Sequence, residues 1–100
     1  MNIQIHSVKF DADRKLLDFV NQKISKLSRY SNDIIAIEVF LRLDNDQDQE
    51  NKLVEIKVDY PPGAPLFAKK QSKTFEEATD NVIDALKKQI TRQKEKMRGK

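Results

Sequence analysis

The hydrophobic pattern of this chain predicts an α+β fold of order β-α-β-β-β-α, a four-stranded mixed sheet with two helices packed on one face. Three observations carry that prediction. The apolar period changes from two, to three-and-four, back to two, and again to three-and-four along the 100 residues. Two successive segments, 34–43 and 53–60, alternate as an antiparallel pair with one buried face would. A long apolar stripe at helical spacing then runs from Phe75 to Ile90.

The first strand is read in "NIQIHSVKF", whose apolar residues Ile3, Ile5, Val8 and Phe10 slip by one position, which predicts an irregularity near Ser7. In "DADRKLLDFVNQKISKLSRY" Leu16, Val20, Ile24 and Leu27 share one helical face, widened by Leu17 and Phe19. Asp13 is the expected N-cap, because its carboxylate can accept from a free N–H of the first turn. "SND" closes this helix. The second strand places Ile35, Ile37, Val39, Leu41 and Leu43 on one face, and the third opposes it with Val54, Ile56, Val58 and Tyr60. "PPGAP" is a turn in which Pro62 pre-sets one backbone angle and Gly63 can take a positive one. "LFAKKQ" is a weaker last strand. Thr74 and Glu77 then form a capping box for the second helix, whose stripe is Phe75, Ala78, Val82, Leu86, Ile90, Gln93 and Met97. The stripe thins beyond Ile90, so the last two turns are expected to project past the core.

Several chemistries are excluded by composition. There is no Cys and only one His, so neither a zinc site nor a histidine-paired nucleophile is supported, and His6 is read as structural or surface. The only glycines are Gly63 and Gly99, so no phosphate-cradling glycine loop exists. Asp44, Asp46, Asp48 and Glu55 fall near EF-hand ligand spacing, but Gln49 stands where the tight turn wants Gly and the flanks read as strands. That segment is read as a hairpin loop. No apolar stretch approaches the roughly 20 residues of a membrane helix, and "MNIQIHSVKF" has no signal-peptide pattern. The expectation is a soluble, cytoplasmic, non-enzymatic protein with no cofactor, no metal and no small-molecule substrate, made of one domain over residues 1–100.

Charge supplies the positive signal. Residues 1–86 carry 12 basic and 15 acidic side chains, whereas residues 87–100 carry 7 basic and 1 acidic. Such asymmetry points to an anionic partner. With the apolar stripe against the sheet, Lys87, Lys88, Thr91, Arg92, Lys94, Lys96 and Arg98 fall on the flanks and outer face of the last helix. Lys23, Lys26 and Arg29 lie away from the stripe of the first. Helices side by side would present both sets together, and phosphate-rich RNA is the natural partner, because each neutralised phosphate releases counterions. The plainer alternative is that these cations complement the C-terminal end of a helix dipole. Phe40 and Phe67 alternate onto the open face of the sheet, where they can stack on bases or pack cross-strand.

These residues resemble a known family. "LLDFVNQKISKLSRYSNDI" is similar to the first helix and its exit in the ribosome hibernation promoting factor and ribosome-associated inhibitor family, long labelled sigma-54 modulation protein, through the pattern "FV…K…KL…Y…I". "ATDNVIDALKKQITRQKEKM" resembles that family's final helix through Ala78, Asp80, Asp84, Leu86, Lys88, Gln89, Ile90, Arg92, Lys94 and Lys96. The resemblance covers nearly the whole chain. It implies binding to the small ribosomal subunit in the channel of messenger and transfer RNA, with ribosomes held inactive in starvation or stationary phase. It also implies that Lys23 and Lys26 of the first helix, and Lys88, Arg92, Lys94 and Lys96 of the second, contact ribosomal RNA. Arg29, Lys87 and Arg98 are added by the charge pattern.

There are departures. Gln93 stands where a basic residue or histidine is common, and Lys69 and Lys70 stand where members carry small or acidic residues, which leaves the register of residues 66–71 open. Long members carry a second, dimer-forming domain, whereas this chain stops at Lys100 and is expected to be monomeric when free. The short basic end favours members that promote paired ribosomes over those that keep ribosomes as inactive singles. Two other readings compete. A double-stranded RNA-binding module would need a basic start to the last helix, and "TFEEATD" is acidic. A protein-interaction module would use the open sheet face with Phe40 and Phe67.

Overall fold

Strand β1 (Asn2–Val8) is followed by helix α1 (Arg14–Ser25), and three more strands precede a 24-residue helix α2 (Phe75–Arg98). The three are β2 (Ala36–Leu43), β3 (Lys52–Asp59) and β4 (Leu66–Ser72). The computed structural model describes residues 2–44 and 50–98, and the side chains of residues 97 and 98 lie outside that description. Asp46, Asp48 and Gln49 of the hairpin loop are also outside it.

The sheet has the order β1-β2-β3-β4. β1 runs parallel to β2, because α1 carries the chain back across the sheet, while β2–β3 and β3–β4 are antiparallel. The alternation read from sequence becomes one buried face: Ile37, Val39 and Leu41 on β2 and Val54, Ile56 and Val58 on β3. Val20 and Ile24 of α1, Leu27 just after it, and Ala78, Val82, Leu86 and Ile90 of α2 complete the same core. The predicted α+β order and the helical stripes are therefore as observed.

Local chemistry sets the ends of the elements. Asp13 Oδ1 accepts from the Leu16 N–H at 2.8 Å, as its N-cap role requires. α1 tightens into a 3-10 turn over Lys26–Arg29, keeping Leu27 buried. Ser31 then anchors the exit: its Oγ accepts from the buried Tyr60 hydroxyl at 2.9 Å and from the Asp33 N–H at 3.1 Å. Thr74 Oγ1 accepts from the Glu77 N–H at 3.0 Å, giving half of the expected capping box; the described hydrogen bonds do not include the reciprocal one.

Four expectations need correction. The β1–β2 ladder is unbroken through Ser7↔Leu41, so there is no irregularity at Ser7. The strand instead ends at Val8, and Lys9 turns the chain with φ 64, which brings Phe10 onto Phe75 at 5.2 Å between parallel rings. The apparent slip in period marked a turn, not a bulge. Ile35, just before β2, and Leu43, its last residue, are exposed, and Ile34 is buried instead. Gly63 has no positive φ. It is small for another reason: a Cβ there would meet the side-chain amide of Gln93 on α2. Finally, Phe40 and Phe67 are not cross-strand partners, since Phe40 pairs with Glu55 and Phe67 with Lys57.

Candidate nucleic-acid interface

α2 is amphipathic along most of its length, and its buried stripe determines where its cations point. Burial runs through Val82, Leu86 and Ile90, and on either side of that stripe the two flanks meet different neighbours. One flank faces α1. There Lys87 joins Lys26, Arg29 and Tyr30 in a single cleft formed by the 3-10 turn and α2. The Lys87 ammonium lies 5.3 Å from the centre of the Tyr30 ring, which holds the side chain in place without neutralising it.

Lys23, one turn earlier, behaves differently. Its Nζ is 3.3 Å from Asp80 of α2 and 5.5 Å from the centre of the Phe19 ring. It ties the two helices together at the amino-terminal half of α2, so its charge is partly answered inside the protein. Among the described residues, the ion pairs are Lys23–Asp80 and Arg42–Glu55, and His6 is hydrogen-bonded to Glu38. Lys26, Arg29, Lys87, Lys88 and Arg92 belong to none of them.

The other flank of α2 faces β4. Lys88 and Arg92 line a groove there with Lys70, Asp84 and Gln89. Lys26, Arg29 and Lys87 therefore share the cleft beside α1, while Lys88 and Arg92 stand on the β4 flank of the same helix-covered side. A shallow depression bordered by Lys87, Lys88, Thr91 and Arg92 crosses the outer face between the two flanks, with Glu95 at its rim. Lys94 is half-buried and Lys96 exposed, further along α2. Arg98 closes the helix with its side chain outside the described residues.

Sequence reasoning missed Tyr30, Lys70 and Gln89. Tyr30 carried a signal, being an aromatic between the basic 3-10 turn and a polar exit. Lys70 carried one too: a lysine at a core-facing position of a strand implies an edge where its stem can reach water.

The open face of the sheet is chemically different. His6 Nε2 is 3.0 Å from Glu38 Oε2, and the His6 ring stacks on Phe40 with centroids 5.0 Å apart. The Arg42 guanidinium lies 5.5 Å from the same ring, and its Nε donates to Glu55 at 2.8 Å. Phe40 is thus occupied by neighbours on its own sheet, and Phe67, 51% exposed on β4, is the freer aromatic. Glu55, the last position of the calcium-loop spacing, is engaged by Arg42, and residues 45–49 of that loop lie outside the described residues. No helix among the described residues is long and apolar enough to cross a membrane.

The model of the sigma 54 modulation protein / S30EA ribosomal protein family matches residues 3–98. The chain belongs to that family. A ribosome hibernation promoting factor of Azotobacter vinelandii is 25% identical over 96 residues, spanning 96% of this chain and 85% of that protein. Among solved structures, a ribosomal subunit interface protein from Coxiella burnetii superposes with a TM-score of 0.81 at 20% identity, covering 94% of this chain and 98% of its own. The N-terminal domain of Protein Y from Thermus thermophilus superposes with a TM-score of 0.76 at 26% identity, covering 92% and 98%. The family is one of non-enzymatic, ribosome-associated hibernation factors.

Proposed function

We propose that this chain, as one domain over residues 1–100, binds the small ribosomal subunit through ribosomal RNA in the channel of messenger and transfer RNA. It thereby inhibits translation in the cytoplasm under stress or in stationary phase. The observation that supports this reading is the convergence of Lys26, Arg29 and Lys87 from two separate elements in one cleft, without ion-pair partners among the described residues.

Unpaired cations at a cleft lower the free energy of an approaching phosphate backbone and release its counterions. Phosphate contacts orient a protein but carry little sequence information. The choice of one ribosomal site then falls to shape, which the rigid sheet supplies by fixing the spacing of the helices. Inhibition needs no chemical step, only occupancy by a monomer of the space other RNAs would take. General duplex-RNA binding is disfavoured by the first turn of α2, where Glu76 and Glu77 are exposed and acidic.

Co-sedimentation with purified ribosomal subunits and with generic duplex RNA, across a salt series, tests the reading. The native chain is expected to bind the small subunit and not the duplex, and Lys26→Glu/Lys87→Glu is expected to abolish binding while unfolding at the native temperature. Equal binding to both RNAs would reduce the proposal to general RNA affinity, and no binding to the small subunit would refute it.

A further inference from the structure

The cleft between the 3-10 turn and α2 does not include Lys88 and Arg92, because they stand on the opposite flank of α2. At 3.6 residues per turn, Lys87 is roughly 100° from Lys88 and roughly 140° from Arg92 around the helix axis. No single RNA strand lying in the first cleft reaches all three cations in the same way.

The groove that Lys88 and Arg92 do line has a third cation from the sheet. Lys70 pairs in register with Val54, a fully buried residue of the core face, so the Lys70 side chain leaves β4 on the helix-covered side. Its two neighbours on that face, Ala68 and Ser72, are small and buried, whereas Lys70 is exposed. The difference arises at the sheet edge, where a lysine stem can lie along the groove while its ammonium reaches water. Gln89 fixes the geometry of the groove by donating from Nε2 to the Phe67 carbonyl at 3.0 Å. That bond occupies an edge carbonyl of β4 and sets how close α2 lies to the strand.

Lys70, Lys88 and Arg92 form no ion pair among the described residues, although Asp84 lines the same groove. Asp84 lies one turn before Lys88, so its carboxylate disfavours an anion at that end and confines the favourable site to the part nearer Arg92. The depression bordered by Lys87, Lys88, Thr91 and Arg92 connects this groove with the first cleft over the crest of α2. Cations on both flanks, joined by cations across the crest, suit a continuous polyanion better than an isolated acidic side chain.

We propose that the groove between α2 and β4 is a second phosphate seat, with Lys70 as its contact from the sheet, so that RNA backbone is held on both flanks of α2. This rests on the ribosome-binding reading above and adds a residue from a different element. Lys69, which pairs with Glu55 on the open face, takes no part.

The test compares Lys70→Gln, Lys69→Gln, Lys26→Gln and the Lys70→Gln/Lys26→Gln double variant in small-subunit binding over a salt series. Loss of one phosphate contact flattens the log–log salt slope by about 0.7–0.9 and weakens binding roughly fivefold at 0.1 M salt. Lys70→Gln and Lys26→Gln are each expected to do this, the double variant to add the two effects in log K, and Lys69→Gln to match the native chain. If Lys26→Gln weakens binding while Lys70→Gln does not, the second seat is overturned and the ribosomal reading stands. Weaker binding by Lys70→Gln at unchanged slope would overturn the phosphate assignment, because losing a phosphate contact must flatten the slope. A native chain that does not bind the small subunit would overturn both readings.

Discussion

Gly63 shows how one residue type can meet two different physical demands. A glycine after two prolines reads as a position for positive φ, yet the backbone there does not use that freedom. What excludes a larger residue is the amide end of Gln93, which approaches the turn from α2. The two explanations predict different energetics. A glycine needed for its backbone angle loses more than it gains on substitution by Ala, whereas at an ordinary φ the same change stabilises by about 0.4–1 kcal/mol through the unfolded chain. Gly63→Ala is therefore expected to be near neutral alone, because displacing the flexible Gln93 amide offsets the gain. In a Gln93→Ala background it is expected to stabilise by about 0.4–1 kcal/mol in urea unfolding. A loss above about 1 kcal/mol in both backgrounds would show that the turn requires glycine after all. The cations divide in the same residue-by-residue way. Lys23, tied to Asp80, and Lys87, held on the Tyr30 ring, are both lysines on facing helix flanks, but only the first has an ion-pair partner among the described residues.

At the scale of elements, the long periodic segments were legible and their ends were not. β2, β3 and α2 bury a face determined by a fixed period, and a shift of one residue would turn each strand's apolar set to water. Those faces are found as read, from Ile37 to Val58 and from Phe75 to Ile90. The misreadings cluster where the chain leaves an element. Lys9 adopts φ 64 without being Gly, Asn or Asp, and so gave no local signal that β1 ends and Phe10 arrives by a turn. Leu43 alternates correctly yet is 44% exposed, because period does not say how far along β2 the helices extend. The candidate site was legible in the same measure. A helical wheel gives the angle between Lys87 and Arg92, but the neighbours on each flank depend on the register of β4 and the placement of α1, which are tertiary facts. Helix starts were the exception, since a cap is local chemistry. The Thr74 hydroxyl satisfies one of the free N–H groups of α2, beside Glu76 and Glu77 that complement the positive end of its dipole. Thr74→Ala is expected to lower unfolding stability by about 1 kcal/mol and Thr74→Ser to lose much less. Equal losses in the two variants would assign the effect to the Thr methyl group and not to the cap.

The whole molecule divides at the sheet. On the helix side, cations from α1, its 3-10 exit, α2 and β4 surround one long helix, and most lack an internal partner among the described residues. On the open side, polar partners lie close together: His6 with Glu38 and Arg42 with Glu55, the His6 ring and the Arg42 guanidinium both lying against Phe40. A surface whose charges answer one another has little long-range attraction for a polyanion, whereas uncompensated cations on one side orient the molecule as it approaches. On the proposed ribosomal reading, the sheet is a plate that presents the helices to RNA and turns a near-neutral face away from it. Phe67 is the residue that most challenges this division, since it is exposed, aromatic and next to Lys57 across the strand pair. If it stacked on a base, its loss would be worth about 1–3 kcal/mol, at least several-fold in affinity. If the open face is turned away, Phe67→Ser/Lys57→Gln leaves small-subunit affinity within about twofold, a difference below 0.5 kcal/mol. Binding by this variant at native strength, beside loss in Lys26→Glu/Lys87→Glu, is the expected pair of results. The reverse pair would make the molecule a protein-interaction module that works through its sheet, with the basic helices serving solvation.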